Sequence, residues 1–254
     1  MMEKILNLPV VASEHGHDVN TLVELVHWLM GILLVGWTLF FLYTLFRFRA
    51  QPGRKADYHG VRGHASTWLE IGIASFEAIL LLGFAIPLWA KTVDEYPPEK
   101  DATIIRVVAE QFGWNFIYPG VDGKFGRQDL ALVTAENPFG FDATDPDTKD
   151  NFTVLNEAHV PLKKGVIINC SSKDVIHSFK VLPLRVTQDC IPGLNIPIHF
   201  VATKEGKYQV ICAQLCGNGH AAMANGIVVV NTEEDFKTWM ASKASGGGAA
   251  TSFE

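Results

Sequence analysis

The stretch LVELVHWLMGILLVGWTLFFLYTLF, residues 22–46, decides the broad architecture of this chain. Its roughly 25 residues are enough to cross a hydrocarbon core ~30 Å thick. Only Glu24 and His27 interrupt it, both near one end. A second run, WLEIGIASFEAILLLGFAIPLWA at 68–90, has similar length and carries Glu70 and Glu77. The connector between them sets Arg47, Arg49, Arg54, Lys55 and Arg62 against Asp57 alone, whereas EHGHD before the first run and DEYPPEKD after the second show no basic excess. By the positive-inside rule the connector is cytoplasmic and both flanks are outside. Trp68 and Trp89 sit at the edges of the second run, as interfacial anchors do. Residues 22–92 therefore read as a transmembrane helical hairpin.

Beyond residue 98 the pattern changes to short apolar runs broken by Gly, Pro, Asn and Asp. TIIRVVAEQFGWNFIYP, GVIINCSS, FKVLPLRVTQD, IPIHFVAT, KYQVICAQ and GIVVVN read as strands, rich in Val, Ile, Tyr and Phe. A helix is expected only at EEDFKTWMAS, near the end. Many short strands with turn signals indicate an all-β Greek-key sandwich or barrel over 99–242. Within it, residues 119–152 form an acidic insertion containing Asp122, Asp129, Glu136, Asp142, Asp145, Asp147 and Asp150. It is either a docking surface or a solvated loop. Residues 243–254 are Gly/Ser/Ala-rich and read as a flexible tail. Residues 1–21 read as a solvated terminal segment outside the membrane, where His15 and His17 form at most a weak metal site.

The chain has 254 residues, 48% hydrophobic and 19% charged, with net charge −6. The hydrophobic excess lies in the first 90 residues, and no basic cluster lies outside the connector, so nucleic acid is not an expected partner. Four cysteines are too few for a disulfide scaffold.

Two of those four fall three residues apart in ICAQLCGNGHAAM, residues 211–223. Cys212, Cys216, His220 and Met223 share one turn-rich segment between two strands, and DVIHSF supplies His177 upstream. Two thiols, two imidazoles and a thioether are soft and borderline donors that suit copper. Zinc usually takes four N/S ligands and gains nothing from methionine. Paired thiolates can bridge two metals, each with its own histidine. A disulfide between Cys212 and Cys216 is the competing reading. Cys170 and Cys190 flank the His177 segment, either bonded to each other or small and buried.

The pattern DVIHSF…QDCIPG…GKYQVICAQLCGNGHAAM, with the hairpin before it and DFKTW after it, resembles subunit II of the haem–copper cytochrome c oxidases. The resemblance covers residues 20–240. It implies a cupredoxin-like domain with a dinuclear copper A centre. The ligands it implies are His177, Cys212, Cys216, His220, Met223 and the backbone carbonyl of Gln214. It also implies a relay that takes single electrons from a c-type cytochrome and passes them to haem in subunit I, where oxygen reduction drives proton pumping. Subunit III and membrane lipid are the other implied partners. The implied location is a bacterial inner membrane crossed more than once, with the copper domain on the periplasmic side.

Several positions depart from the family pattern. Gln214 stands where many relatives place a Glu that helps bind magnesium, and a neutral amide is a poorer ligand for a hard dication, so magnesium there is doubtful. Leu194 replaces an Arg common after Ile-Pro-Gly. Phe112 aligns with the tryptophan credited with receiving electrons, and Trp114 with a second aromatic; both are candidates, Trp114 equally a core residue. Glu70 follows the family's carboxylate at the mouth of a proton path. Glu77, about two turns further on the same face, stands where relatives often have Pro, and reads best as a hydrogen-bonding contact to a neighbouring subunit.

Other assignments remain distinguishable. A membrane-anchored copper carrier should offer a more exposed site with fewer ligands. Nitrous oxide reductase shares a copper A domain but needs a large propeller and no hairpin. A quinol oxidase subunit II would lack the cysteines.

Overall fold

A computed structural model describes residues 2–55, 58–60 and 63–244. Asp57 and Arg62 of the connector, and positions 245–254 of the expected tail, lie outside the described residues. The chain divides into two compact units, residues 1–8 with 18–91, and 9–17 with 92–254.

The first unit contains a short helical turn, α1 (Met2–Ile5), and two long apolar segments. α2 spans Gly16–Arg47, beginning six residues before the expected span. The second segment runs Ala65–Val93 as α3 (Ala65–Leu80), a π turn (Leu81–Ala85) and α4 (Ile86–Val93). Pro87 explains the interruption. A proline lacks the N–H of the helical ladder and clashes with the carbonyl four residues back, here Gly83, and a wider turn relieves both. At 1.5 Å per residue the two segments are roughly 48 and 43 Å long, so each exceeds the hydrocarbon thickness. Lys91 at the end of α4 pairs with Asp18 at the start of α2 at 3.3 Å, as an up-and-down hairpin requires. Both groups are more than half exposed, so the pair contributes little beyond that pairing of ends.

The second unit is a β-sandwich of two five-stranded sheets. Its strands are β1 (Thr103–Glu110), β2 (Gly113–Tyr118), β3 (Phe152–Leu155), β4 (Glu157–Pro161), β5 (Gly165–Ser172), β6 (His177–Val181), β7 (Val186–Cys190), β8 (Ile196–Val201), β9 (Gly206–Cys212) and β10 (Gly226–Asn231). One sheet has the order β3-β2-β1-β5-β8 and the other β4-β10-β9-β6-β7. The pairs β1–β5 and β4–β10 are parallel, so the chain crosses between sheets rather than meandering.

Two apparent single strands each contain a reversal. The run 103–119 folds into the β1–β2 hairpin about Gln111 and Phe112, and 179–189 turns through Leu182–Leu184 between β6 and β7. Strands β3 and β4 were not anticipated, because their short runs follow directly on the polar insertion.

Inward-facing residues of both sheets make one core, including Trp114, Phe116 and Tyr118 from β2 and Phe179 and Val181 from β6. Phe179 lies edge-on between Trp114 and Phe116, with ring centroids 5.5 and 6.3 Å away. The far end is closed by α5 (Glu233–Ala244), whose Trp239 meets Tyr118 edge-on and stacks on His159 at 4.1 Å. This is the helix expected at 233–242.

The solvated reading of the N-terminal segment is corrected. Val11, Ala12 and Ser13 are buried in the β-domain, with Ser13 bridged to Ala202. The Ala12 N–H donates to Pro183 and the Thr203 N–H to Ala12, while Ser13 Oγ donates to the Leu184 carbonyl at 2.6 Å. Backbone groups taken from water need such partners, and these lie about 170 to 190 residues away in sequence.

Many insertion carboxylates are tied to their own loop instead of facing outward. Asp150 accepts from the Val121 and Asp122 N–H groups, and Asp145 from those of Arg127 and Asp147. Asp142 is buried and paired with Arg127.

Candidate metal centre

Strand β9 ends on Cys212, which faces Phe179 of β6 across the ladder. The chain then turns through 213–225 to β10, closing with a 3-10 turn at His220–Asn225. The Ala213 N–H donates to the Ser178 carbonyl at 2.9 Å, so the loop departs directly beside His177 at the head of β6. Gly217 has φ +135, a conformation side chains disfavour, and lets the chain reverse between Cys216 and His220.

This geometry brings together donors separated by almost fifty positions. The Cys212 and Cys216 sulfurs are 3.9 Å apart, far from the ~2.05 Å of a disulfide, and both are free thiols. His177 Nδ1 lies 3.1 Å from Met223 Sδ and 4.0 Å from Cys212 Sγ. Cys216 Sγ lies 3.4 Å from Met223 Sδ and 3.4 Å from His220 Nδ1. The Gln214 carbonyl oxygen is 3.0 Å from Cys212 Sγ, while the Gln214 side chain is exposed. His177, Cys212 and Cys216 are all buried, with their ligand atoms within 4.8 Å of one another.

Two thiols, two imidazoles and a thioether are weak hydrogen-bonding partners for each other and good ligands for a soft cation. Burial, followed by the neighbouring Cys212 thiol, pushes the Cys216 thiol up to about 11. A cation is what would favour the thiolates here, because metal binding releases their protons.

Residues around these donors hold them in place. His177 Nε2 meets Asp174 Oδ1 at 2.9 Å, which fixes the ring with Nδ1 toward the sulfurs. Asp174 also accepts from the Gln111 N–H and the Val175 N–H, each at 2.6 Å. Partial burial raises its carboxyl pKa, but the hydrogen bonds from His177, Gln111 and Val175 outweigh that and hold it below the ordinary range. Gln111 Nε2 donates to the Cys216 carbonyl at 2.6 Å, clasping the loop from the β1–β2 turn. Trp114 is fully buried, donates from Nε1 to the Met223 carbonyl at 2.9 Å, and sets its ring edge-on to His177. Phe112, half-buried, lies against the same loop, close enough that a Cβ at Gly219 would sit 2.4 Å from its ring.

The sequence had singled out every side chain of this cluster. Asp174 and Gln111 were missed; Asp174 sits three residues before His177, the one local hint available. Glu70 and Glu77 belong to the helical unit, both exposed on α3.

The profile of the cytochrome c oxidase subunit II periplasmic domain matches residues 103–232. An alternative cytochrome c oxidase subunit 2 from Bradyrhizobium diazoefficiens is 30% identical over 231 residues, covering 91% of this chain and 81% of that protein. A cytochrome c oxidase subunit 2 from Thermostichus vulcanus is 45% identical over 265 residues, covering 91% and 77%. The crystal structure of the periplasmic domain of subunit II of cytochrome oxidase from Bradyrhizobium japonicum is similar with a TM-score of 0.43 at 26% identity, over 57% of this chain and 96% of that one. The matched span includes every residue of the thiol–imidazole cluster and covers half the chain, and the full-length likeness extends through the helical hairpin: the chain belongs to the cytochrome c oxidase subunit II family.

Proposed function

We propose that this chain is the electron-accepting subunit of a respiratory haem–copper oxidase, receiving single electrons from a c-type cytochrome and passing them to haem in subunit I. The observation that carries this reading is the convergence of His177, Cys212, Cys216, His220, Met223 and the Gln214 carbonyl on one small volume. These groups would hold two copper ions. Two copper ions held there would supply one-electron redox chemistry, with Cys212 and Cys216 as thiolate donors.

The chain's own residues supply the rest. Cys212 and Cys216 would give up their protons on taking up metal, and they are 3.9 Å apart already, one anchored at the end of β9 and the other held by the Gln111 clasp. Asp174 fixes the His177 ring, and Trp114 fixes the Met223 backbone. The fully buried His177 and Met223 keep water from that side, which lowers the local dielectric and tunes the potential. Phe112, part-exposed over the loop, is the better placed aromatic to meet a donor; Trp114 acts from beneath as scaffold.

In this reading the hairpin of residues 22–92 crosses a bacterial inner membrane with its basic connector inside, and the copper domain of 99–242 lies on the periplasmic side. Subunits I and III and lipid surround the hairpin, with Glu70 at the mouth of a proton path. No magnesium site is assigned to the Gln214 side chain.

The test is an electron paramagnetic resonance spectrum of the detergent-solubilised, copper-loaded full chain. One electron shared equally by two copper nuclei gives a seven-line hyperfine pattern. A four-line mononuclear signal, or no copper uptake, rules the reading out.

A further inference from the structure

The second pair of cysteines takes no part in the metal centre. Cys170 lies on β5 of one sheet and Cys190 on β7 of the other, both without exposed surface and both in the shared core. Strands β5 and β7 pack against each other there. Two residues beyond each, Ser172 and Pro192 form a bridge that holds the two chain segments side by side. Cys190 is also the antiparallel ladder partner of His177, so its side chain lies beside His177 on the same face.

We propose that Cys170 and Cys190 close a disulfide as the β-domain folds in an oxidising medium, stapling the two sheets beside His177. The two thiols lose two protons and two electrons as their S–S bond forms. A disulfide donor takes both up as its own S–S bond breaks to two thiols. The full burial of both sulfurs means that the bond forms during folding and is then shielded from reductants. It also sorts the four cysteines. Cys170 and Cys190 are consumed by each other, and Cys212 and Cys216 remain thiols facing His177 and Met223.

The bond would close a loop of about 20 residues around His177, which corresponds to a rise of about 10 °C in Tm for a domain of this size.

The reagent for the test is glutathione disulfide, applied in mild denaturant to the reduced, detergent-solubilised full chain. Remaining thiols are blocked with N-ethylmaleimide and the digest is read by mass spectrometry. Because Cys212 and Cys216 are near enough to pair as well, a C212S/C216S variant is treated in parallel. Peptides joined through Cys170 and Cys190 are expected in both chains. N-ethylmaleimide on Cys170 and Cys190 in the variant after treatment overturns the proposal. Thermal unfolding gives a second readout: in the C212S/C216S background the oxidised chain should unfold about 10 °C above the same chain reduced in denaturant and refolded, and adding C190S should remove the difference. Equal midpoints for the oxidised and the reduced, refolded chain count equally against it.

Discussion

Replacing Asp174 by alanine should weaken metal binding without removing any metal ligand. The carboxylate accepts from His177 Nε2 at 2.9 Å and from the Gln111 and Val175 N–H groups at 2.6 Å each. Gln111 and Val175 are exposed, so their N–H groups can turn to water in the variant. His177 is fully buried and cannot. One buried donor left unsatisfied costs about 1–3 kcal/mol, and the ring is then free to turn Nδ1 away from the sulfurs. Loss of such an outer partner typically lowers metal affinity about 10–100-fold, or about 1.4–2.7 kcal/mol. The two estimates agree, as they should if one hydrogen bond is responsible for both. The assay is competition for copper against a chelator of known affinity, using the detergent-solubilised full chain. Metal-free denaturant unfolding is measured alongside. Asp174→Asn keeps an acceptor oxygen and should recover most of the loss. If Asp174→Ala binds copper as tightly as the wild type, His177 is positioned by something else and the reasoning fails.

Three further outcomes are expected. Cys216→Ser should abolish electron acceptance from cytochrome c in the assembled oxidase while the hairpin still incorporates into the membrane complex; stopped-flow reduction reads the first and co-purification the second. Gly219→Ala should strain the loop, since the new Cβ would meet the Phe112 ring at 2.4 Å; overpacking of that kind costs about 1–3 kcal/mol, visible as a lower unfolding midpoint. Asp142, held down to about 2 by hydrogen bonds from Thr144 and then Arg127, should contribute stability above the ordinary carboxylate range and lose it as pH falls from about 4 toward 2. Proteolysis within 119–152 at graded pH measures that loss, and in Asp142→Asn the pH dependence over this window should shrink.

How much of this was legible in the sequence depended on the range of the interactions involved. The two membrane segments announce themselves because hydropathy over some twenty positions is a local property. The centre was legible because four of its five side-chain donors lie within twelve positions, 212–223, and only His177 had to be brought from elsewhere. Asp174 was not, since an Asp in a strand-connecting turn looks the same whether it caps a backbone N–H or orients an imidazole. Gln111 reaches the Cys216 carbonyl across 105 positions, which no local pattern signals. The stitching of residues 11–13 into the β-domain was hidden for the same reason. Strands β3 and β4 escaped because the polar composition of 119–152 masked the return to alternation after it.

Gln214 joins two roles that most residues keep together. Its carbonyl oxygen points to Cys212 Sγ at 3.0 Å while its side chain stands outside. A main-chain donor is contributed by whatever amino acid occupies the position. The side chain at 214 can therefore change, so long as the backbone keeps its course, with the inward-facing oxygen unaltered. A substitution at this position, acid for amide, would change what the loop shows to solvent and leave the oxygen beside Cys212 Sγ where it is.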